Sequence, residues 1–430
     1  MSRAPTVLVE QSSALPLIGL TIALRSGATL DPEGREGLCR LTGRMMRRTG
    51  GGRSTEELDR RIDSLGGSLV VDSSHSTTGV HGAVIARSLE PFVELMEDVT
   101  AHPGFDEEEL QRLIRETQAE LVEALDHDRS LARHWFRRSM YAGHDYARSV
   151  SGNHASVAAT TRDEVVRFHR QSFVRDNLIF AFSGDIDPES ARSVAERIAG
   201  ALPDAEAPDV AVSAPSFAQG RRLVFVDKPE RSQTQILIGT AGTHPRDPDH
   251  IALFVANTVF GGTFTARLSH EVREKRGWSY GAYSSLPIDR ERRAMSLWTF
   301  PKAEDAAACI RLELDLLAKF VARGVTQKEL TLAKRYLIRS HAFALDTASK
   351  RVNLELDRLL YDLPEDYYSA YTERVNAVSR DDVNAAIARR LDPKDLLVVV
   401  VGTASDIADA VRSAIPNLET SEVVAYDSDA

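Results

Sequence analysis

The chain repeats itself at long range, and this repeat constrains its fold more than any other feature. The copies are TRDEVVRFHRQSF with NLIFAFSGDIDPESARSVAERIAGAL, within 161–202, and SRDDVNAAIARRL with DLLVVVVGTASDIADAVRSAIPNL, within 379–418. Thr161 and Ser379, at the starts of the copies, lie 218 residues apart, as do Gly184 and Gly402. Each copy predicts a capped helix, a buried β-strand, a glycine turn and an amphipathic helix.

Earlier segments extend the repeat through both halves of the chain. Residues 16–27 and 232–243 predict strands, each followed by a helix that starts near Glu36 or Pro248, and residues 106–121 and 326–341 predict helices. The stretch from 202 to 220 is rich in Pro, Ala and Asp and has no periodicity, which is typical of a linker. We therefore expect two homologous α+β domains. Their predicted bounds are 1–203 and 221–430, with a linker at 204–220.

Composition limits the partners and the compartment. The net charge of −10 and pI near 5.7 argue against nucleic acid or an anionic membrane as the main partner. The apolar run LPLIGLTIAL at 15–24 is too short to span a bilayer and lacks signal-peptide flanks, so it predicts a buried strand and a cytoplasmic protein. Cys39 and Cys309 lie in apolar periodic segments, which predicts buried free thiols.

One helix contains residues that its pattern does not explain. In GLCRLTGRMMRRTG, residues 37–50, the apolar residues Leu38, Leu41, Met45 and Met46 are spaced to form one buried stripe. Arg40 and Arg44 lie four residues apart on the same segment, with Gly43 between them. Residues four apart share a helix face, so both guanidinium groups are expected on one side of this helix.

The order of segments in the first half resembles the N-terminal domain of the pitrilysin/insulinase-type (inverzincin) zinc peptidases, most closely the processing-peptidase branch. The segments are RSGATLDPEGREGL (25–38), LDRRIDSLGGSL (58–69), ELMEDVTAHPGFDEEEL (94–110), the helix around Glu120, and FSGDID (182–187). The resemblance covers nearly the whole chain. It implies two α/β-layered halves, each a mostly antiparallel sheet packed with helices, which face each other across a cavity.

The resemblance implies that the helix at 37–50 corresponds to the zinc-binding helix of active members. Active members carry His-x-x-Glu-His here, with the histidines as zinc ligands, the glutamate as general base and a third ligand about 76 residues downstream. This chain has Arg40, Gly43 and Arg44 at those positions and keeps only Glu120 as the counterpart of the downstream ligand. Arginine stays protonated and does not bind a metal. We therefore expect a degenerate zinc site and no metal in this chain.

Two other departures bear on the first half. Where the family carries Asn-Ala on its substrate-holding strand, this chain has Val70 and Val71, which indicates a first half that no longer positions a scissile peptide. His75 and His81 lie in one alternating run, SSHSTTGVHGAV. If that run is a single strand, they are about 20 Å apart, too far for one metal ion.

The second half keeps the family's C-terminal signature, FGGTFTARLSHEVREKRGWSYGAYSS (260–285). It predicts a helix from Thr263 to about Lys275, a positive-φ stop at Gly277, and a strand from Trp278 that points Tyr280 into a cavity. In the family, Arg273 and Tyr280 match an arginine and tyrosine that bind the substrate carbonyl and oxyanion. Arg267 is expected to form a structural ion pair.

These features support two main hypotheses. In the first, the chain is the non-catalytic subunit of a heterodimeric zinc endopeptidase and contributes Arg273 and Tyr280 to a zinc-bearing partner's site, where a peptide substrate is cut. In the second, it is a structural or peptide-binding scaffold of the same fold without a catalytic role. A third, an unorthodox standalone metallopeptidase, requires a metal held somewhere other than at Arg40, Gly43 and Arg44.

Overall fold

A computed structural model describes residues 5–428, and these residues form two compact units. The first unit comprises residues up to Leu121, Arg148–Val212 and Phe343–Leu363, and the second comprises Val122–Ala147, Ser213–Ala342 and the chain from Pro364 onward. The units therefore do not follow the sequence halves alone. The bounds 1–203, 204–220 and 221–430 stay a prediction about homologous domains.

The regular elements of the first half begin close to their predicted positions. The strands are β1 (Thr6–Gln11), β2 (Leu17–Leu24), β3 (Ser68–Ser73), β4 (Thr78–Ile85) and β5 (Leu178–Gly184). The helices are α1 (Leu38–Met46), α2 (Thr55–Ser64), α3 (Leu89–Ala101), α4 (Glu107–Ala124), α5 (Asp128–Met140), α6 (His154–Ala158), α7 (Arg162–Ser172) and α8 (Pro188–Gly200). Residues 203–219 contain no helix or strand.

The second half has the same succession of helices and strands and adds one strand, β11, at its end. Its strands are β6 (Arg221–Asp227), β7 (Gln235–Thr240), β8 (Ala282–Ser285), β9 (Met295–Thr299), β10 (Leu396–Gly402) and β11 (Leu418–Ala425). Its helices are α9 (His250–Phe260), α10 (Arg267–Ser269, continued by a π-helical turn, His270–Glu274), α11 (Ala306–Arg323), α12 (Gln327–His341), α13 (Ala348–Leu360), α14 (Tyr371–Ala377), α15 (Arg380–Arg390) and α16 (Ala404–Ala414).

Sheet topology confirms the repeat. The first unit has the strand order β1-β5-β2-β4-β3, and the second has β11-β6-β10-β7-β9-β8, so five consecutive positions correspond strand for strand. The strand pairs also correspond. β1 and β5 are parallel in the first sheet, as β6 and β10 are in the second. The next three pairs along each sheet are antiparallel. The helices before β5 and β10 both begin with capping boxes, at Thr161 and Ser379. The predicted α+β class is correct.

The two units exchange one helix each. The 13-residue helices α5 and α13 occupy equivalent positions in the two halves, yet α5 belongs to the second unit and α13 to the first. In the first unit α13 packs on β5 and β1, burying Val352, Leu356 and Leu360 against Ile179 and Ala181. In the second, α5 packs on β6, β7 and β10.

Each unit has its own apolar core, which accounts for the buried strands. β5 and β10 are buried along almost their whole length, as central strands covered on both faces are. The run at 15–24 forms β2 within the first core, and the thiols of Cys39 and Cys309 are free and buried, both as predicted. Within residues 5–428, no helix has the length and apolar character needed to cross a membrane.

Candidate functional site

The N-terminal end of α1 is fixed by a buried carboxylate. Asp31 accepts hydrogen bonds from the backbone N–H groups of Gly37 and Cys39, at 2.9 and 2.8 Å, and thereby satisfies donors that a helix start leaves free. Gly37 has a φ of 94°, a left-handed conformation that suits glycine. Leu38, Leu41, Met45 and Met46 are buried, as their spacing predicted. This fixes which face of α1 carries the arginines.

On that face, Arg40 and Arg44 both bind Glu120 of α4. Arg44 donates from Nη2 to Glu120 Oε1 at 2.7 Å and from Nη1 to Oε2 at 3.0 Å, and Arg40 donates from Nη2 to Oε2 at 3.1 Å. Arg44 also donates to Thr117 Oγ1 at 3.0 Å. Burial by itself raises the pKa of Glu120, but the hydrogen bonds and charges of Arg44 and Arg40 outweigh it and hold that pKa below its usual range.

The pairing of arginines with glutamates continues one turn further. Arg48, four residues after Arg44, binds Glu116, and its Nη1 lies 3.7 Å from Glu109 Oε2. Arg44 also lies 3.7 Å from Glu116. We call Arg40, Arg44, Arg48, Glu109, Glu116 and Glu120 the arginine–glutamate ladder. Sequence reasoning missed Arg48, Glu109 and Glu116. The four-residue spacing of the three arginines, and of Glu116 and Glu120, was a usable signal for most of the ladder.

Gly43 lies in the middle of α1 where the helix meets β3. A Cβ on Gly43 would lie 3.0 Å from Val71 Cγ1, closer than ordinary van der Waals contact. Gly43 and Val71 are therefore matched: the valine fills space that a longer side chain at position 43 would need. Val70, which points to the other face of β3, is 57% exposed on the edge strand of its sheet.

The groups that meet at this position do not fit zinc. Zinc in proteins is held by neutral imidazole, thiolate or carboxylate, and two of the three side chains here are guanidinium groups that carry a fixed positive charge. The remaining carboxylate already accepts hydrogen bonds from both. Throughout residues 5–428, no group of three or more His, Cys, Asp or Glu side chains is placed to hold a metal ion.

The interpretation of His75 and His81 as members of one strand is wrong. The run is a hairpin: β3 ends at Ser73 and β4 begins at Thr78, so His75 lies in the turn. The hydroxyl of Ser74 stabilises that turn by accepting from the backbone N–H groups of Ser76 and Thr77. His75 Nε2 contacts the Arg148 carbonyl oxygen, and His81 contacts Thr21 and Asp72. Both histidines therefore form hydrogen bonds with neighbouring groups in the folded chain.

In the second unit, Arg273 lies beside two aromatic rings. Its guanidinium carbon is 3.8 Å from the centroid of Phe264 and 5.6 Å from that of Tyr280. Both distances allow cation–π attraction, which holds the guanidinium without neutralising it. In the described part of the chain, Arg273 has no carboxylate partner, and the Tyr280 side chain is 79% exposed. The arginine's hydrogen-bond donors are thus available to a ligand.

Sequence reasoning missed Phe264. The ring is half exposed and lies against Arg273, nine residues further along the chain. The available signal was a phenylalanine two residues after the Gly261–Gly262 turn, because a large apolar side chain beside a turn usually packs against another group. We call Phe264, Arg273 and Tyr280 the aromatic–arginine cluster.

Two of the predicted bounds around this cluster are wrong. The helix starts at Arg267 rather than Thr263, because Ala266 is extended, and it continues as a π-helical turn in which the Lys275 N–H donates to the His270 carbonyl oxygen. Such turns are rare in proteins overall, and those that do occur often lie at functional sites. Gly277 does take the predicted positive φ, 66°.

The strand starts at Ala282 rather than Trp278, so Tyr280 precedes it. The Ser279 hydroxyl accepts the Phe300 N–H at 3.0 Å and donates to the Gly281 carbonyl oxygen at 2.6 Å. The side chain thus takes the place of a backbone ladder partner and keeps this segment out of the sheet. As a result, Tyr280 lies on an irregular, exposed segment.

Arg267 has the structural role that the sequence predicted. It donates from Nε and Nη2 to the two oxygens of Glu329, at 2.6 and 2.7 Å, and also to the Gly324 carbonyl oxygen. Burial raises the pKa of Glu329, but Arg267 and the Thr326 cap outweigh it and bring the pKa to about 2. This bidentate pair ties α10 to the start of α12.

The two units share one strand order, and in the first unit Glu120 of α4 pairs with Arg44 of α1. The family model described as insulinase (peptidase family M16) matches residues 6–154, and the model described as peptidase M16 inactive domain matches residues 159–337. Together these ranges cover well over half of the chain. The chain belongs to the insulinase, or M16, peptidase family.

Individual relatives agree with this assignment. An uncharacterized zinc protease of Mycobacterium tuberculosis is 27% identical over 360 residues, which covers 81% of this chain and 80% of that protein. A non-peptidase homolog, YmxG, of Helicobacter pylori is 20% identical over 402 residues, covering 92% and 91%. The crystal structure of a peptidase M16 inactive domain from Pseudomonas fluorescens superposes with a TM-score of 0.86 at 25% identity and covers 93% of this chain and 96% of that one.

Proposed function

We propose that this chain is the non-catalytic, substrate-binding subunit of a heterodimeric zinc metalloendopeptidase. The partner is a zinc-bearing subunit of the same family, and the substrate is a peptide. One observation carries the proposal: the ladder fills the metal position with guanidinium groups, whereas the aromatic–arginine cluster leaves Arg273 accessible and without a carboxylate. The hydrolytic half of the family's chemistry is absent here, and the half that binds the carbonyl group is retained.

The role of the cluster follows from its donors. Arg273 offers planar N–H groups to the carbonyl oxygen of the bound peptide, and the Tyr280 hydroxyl donates to the same oxygen as it gains negative charge. Phe264 limits the positions open to the guanidinium, so less entropy is lost when a peptide binds. In the heterodimer, these side chains act on the substrate that the partner's metal centre cleaves.

The names of the relatives point in two directions that this proposal reconciles. One relative is named a zinc protease and another a non-peptidase homolog, although both match most of this chain. Arginine at positions 40 and 44, where the resemblance assigns metal-binding residues, supports grouping the present chain with the non-peptidase members. A subunit that binds peptide without cutting it fits that placement, and a cytoplasmic location fits the sequence.

The test is reconstitution. The purified chain is assayed for zinc by atomic absorption and for cleavage of a quenched fluorescent peptide, alone and mixed with an M16 subunit that carries an intact His-x-x-Glu-His motif. We expect neither stoichiometric zinc nor cleavage by the chain alone, and cleavage when the two are mixed. Tyr280→Phe should lower turnover at least tenfold without preventing co-elution of the subunits. Peptide cleavage by the metal-free chain alone would falsify the proposal.

A second candidate function is a catalytically silent scaffold of the same fold. It is favoured by the 79% exposure of Tyr280, because a largely exposed side chain need not be functional. Under this alternative, Arg273→Ala and Tyr280→Phe leave every measured property unchanged, and any binding partner lacks peptidase activity. The reconstitution assay therefore separates the two functions.

A further inference from the structure

A row of small side chains crosses four of the five strands in the sheet of the first unit, and on the fifth strand, β1, Glu10 is the residue paired with Ser183. Ser183 of β5 pairs with Gly19 of β2, Gly19 pairs with Ala83 of β4, and Ala83 pairs with Ser68 of β3. Directly paired residues point to the same face of a sheet, so these four form a floor without long side chains. Three strand spacings make it about 14 Å long. The adjacent row contains the larger Thr21, His81 and Val70.

This floor belongs to a cavity of about 580 Å³, which we call the trough. Its walls include Leu15 and Leu17, both exposed at about half or more of their surface, and Ile18. Its far wall is the first turn of α13, the helix that the second half of the sequence contributes to this unit. The volume lies in the range of ligand sites, and the lining is largely apolar, with polar groups at the start of α13 that we call the polar end.

The polar end has hydrogen-bond donors without acceptors. Thr347 caps α13 by accepting from the Lys350 N–H, and the N–H groups of Ala348 and Ser349 find no acceptor within residues 5–428. A helix start of this kind attracts negative charge. Arg351 donates from Nε to Glu10 and from Nη1 to the Leu345 carbonyl oxygen, which leaves Nη2 for a ligand.

Ser183 provides a separate indication of a ligand. It is only 8% exposed, yet its hydroxyl makes no hydrogen bond in the described part of the chain. The hydroxyl leans over the trough, because a Cβ on Gly19 would lie 2.8 Å from Ser183 Oγ. Ser183 lines the trough, so its hydroxyl can exchange a hydrogen bond with water for one with a polar group of a ligand.

We infer that the trough binds the carboxyl end of a linear peptide with small or apolar residues. The α-carboxylate accepts from the start of α13, Ser183 and Arg351, and the chain lies along the row of small residues. The charges around the polar end favour a monoanion over a phosphate dianion, since Asp346 pairs with Lys350 and Glu10 pairs with Arg351. The site involves neither Arg273 nor Tyr280 and stands independently of the proposed function.

The test uses the full chain and fluorescence anisotropy with an N-terminally labelled, alanine- and leucine-rich peptide of about eight residues, made as the free acid and as the C-terminal amide. We expect the free acid to bind at least tenfold more tightly than the amide. Ala83→Leu fills the trough and should abolish binding of the acid, whereas Ala425→Leu, on exposed strand β11, should not change it. Ser183→Ala should weaken binding of the free-acid peptide about threefold or more and leave binding of the amide peptide unchanged.

Three outcomes would overturn the inference: equal affinity for acid and amide, normal binding by Ala83→Leu, or displacement of the peptide by inorganic phosphate more readily than by acetate. Thermal unfolding of each variant shows whether it is folded. Arg273→Ala should bind the free acid normally, so failure of this site and failure of the proposed function give different results.

Discussion

Arg44 and Glu120, 76 residues apart in sequence, form a bidentate ion pair between α1 and α4, with N–O distances of 2.7 and 3.0 Å. The resemblance to active members assigns zinc ligands to these two positions, and under that proposal a salt bridge between helices replaces a metal that joins them. A metal and an ion pair both link α1 to α4. The fold can therefore keep its geometry after losing the metal, provided that the substituted residues bind each other.

The first prediction concerns this pair. Glu120→Gln should lower the free energy of unfolding at pH 7 by about 1 kcal/mol, because the pair is partly exposed and Arg40 and Arg44 are left to repel each other. The pKa of Glu120 is lowered by folding, so its contribution is present above the ordinary pKa of 4.5 and is lost as pH falls through the lower folded value. Urea unfolding from pH 7 to pH 3 should show a shallower acid decline in Glu120→Gln. Glu123→Gln, which removes a carboxylate from the exposed end of the same helix, is the control.

The second prediction concerns Gly43 and Val71. Restoring the family motif with Arg40→His, Gly43→Glu and Arg44→His should not restore zinc binding, since the new side chain at position 43 collides with Val71. Overpacking of this kind costs about 1–3 kcal/mol. Adding Val71→Ala to the triple variant should relieve the collision and allow zinc to bind with Glu120 as third ligand. Zinc titration calorimetry measures both variants, and equal zinc affinity in the two would contradict the role given to Val71.

The third prediction uses a buried acid in the second unit. Glu313 on α11 is 1% exposed, and neither carboxylate oxygen makes a hydrogen bond of normal geometry within residues 5–428. Burial raises its pKa from 4.5 to about 8, and the neighbouring Thr299 offsets only part of this rise. The folded state therefore holds a proton that the unfolded state has released. The stabilisation is complete below pH 4.5 and is lost as pH rises toward 8, at most about 1.4 kcal/mol per pH unit.

Glu313→Gln should remove that decline, since an amide keeps the shape of the protonated acid and does not ionise. Urea unfolding of both proteins at pH 5, 7 and 9 measures the effect. Asp315→Asn, on the same helix but half exposed, provides the comparison and should follow the wild-type profile. A wild type that is as stable at pH 9 as at pH 5 would argue against a neutral Glu313.

The fourth prediction concerns Lys228, a buried lysine that anchors α5 in the second unit. It donates to the Leu125 carbonyl oxygen at 2.6 Å and to Asp128 Oδ1 at 2.8 Å, at the start of that helix. Lys228→Met leaves the Asp128 carboxylate without its buried partner and should cost about 3 kcal/mol. The double variant with Asp128→Asn should recover much of the loss. Chemical unfolding of the single and double variants tests this, and additive effects would mean that the pair is not coupled.

The fifth prediction separates function from stability in the aromatic–arginine cluster. Tyr280→Phe should change the free energy of unfolding by less than about 0.5 kcal/mol, because the side chain is exposed. Phe264→Ala should also leave stability nearly unchanged but release Arg273 from its stack, raising KM more than it lowers kcat in the reconstituted peptidase. Tyr283→Phe, on the neighbouring strand, is the matched control for the hydroxyl. If Tyr283→Phe impairs cleavage as much as Tyr280→Phe, the assignment of Tyr280 is incorrect.

The sequence by itself determined the repeated α+β elements, the burial of both cysteines and the absence of histidine at positions 40 and 44. These properties depend on local patterns: apolar periodicity, capping residues and glycine turns act over a few residues, and two copies of each pattern reinforce one another. Local patterns do not predict the strand bound near Tyr280. That bound depends on a hydrogen bond from the Phe300 N–H to the Ser279 hydroxyl, and these two residues are 21 apart in the chain.

Only the tertiary structure decided which residues meet. The exchange of α5 and α13 between the units, the pairing of Arg44 with Glu120 and the fit of Gly43 against Val71 all join segments far apart in the chain. No periodicity specifies such contacts, because each depends on how whole helices and sheets pack. The row of small residues under α13 is of the same kind. Ser183, Gly19, Ala83 and Ser68 are unremarkable in sequence and become a floor only when strand register places them side by side.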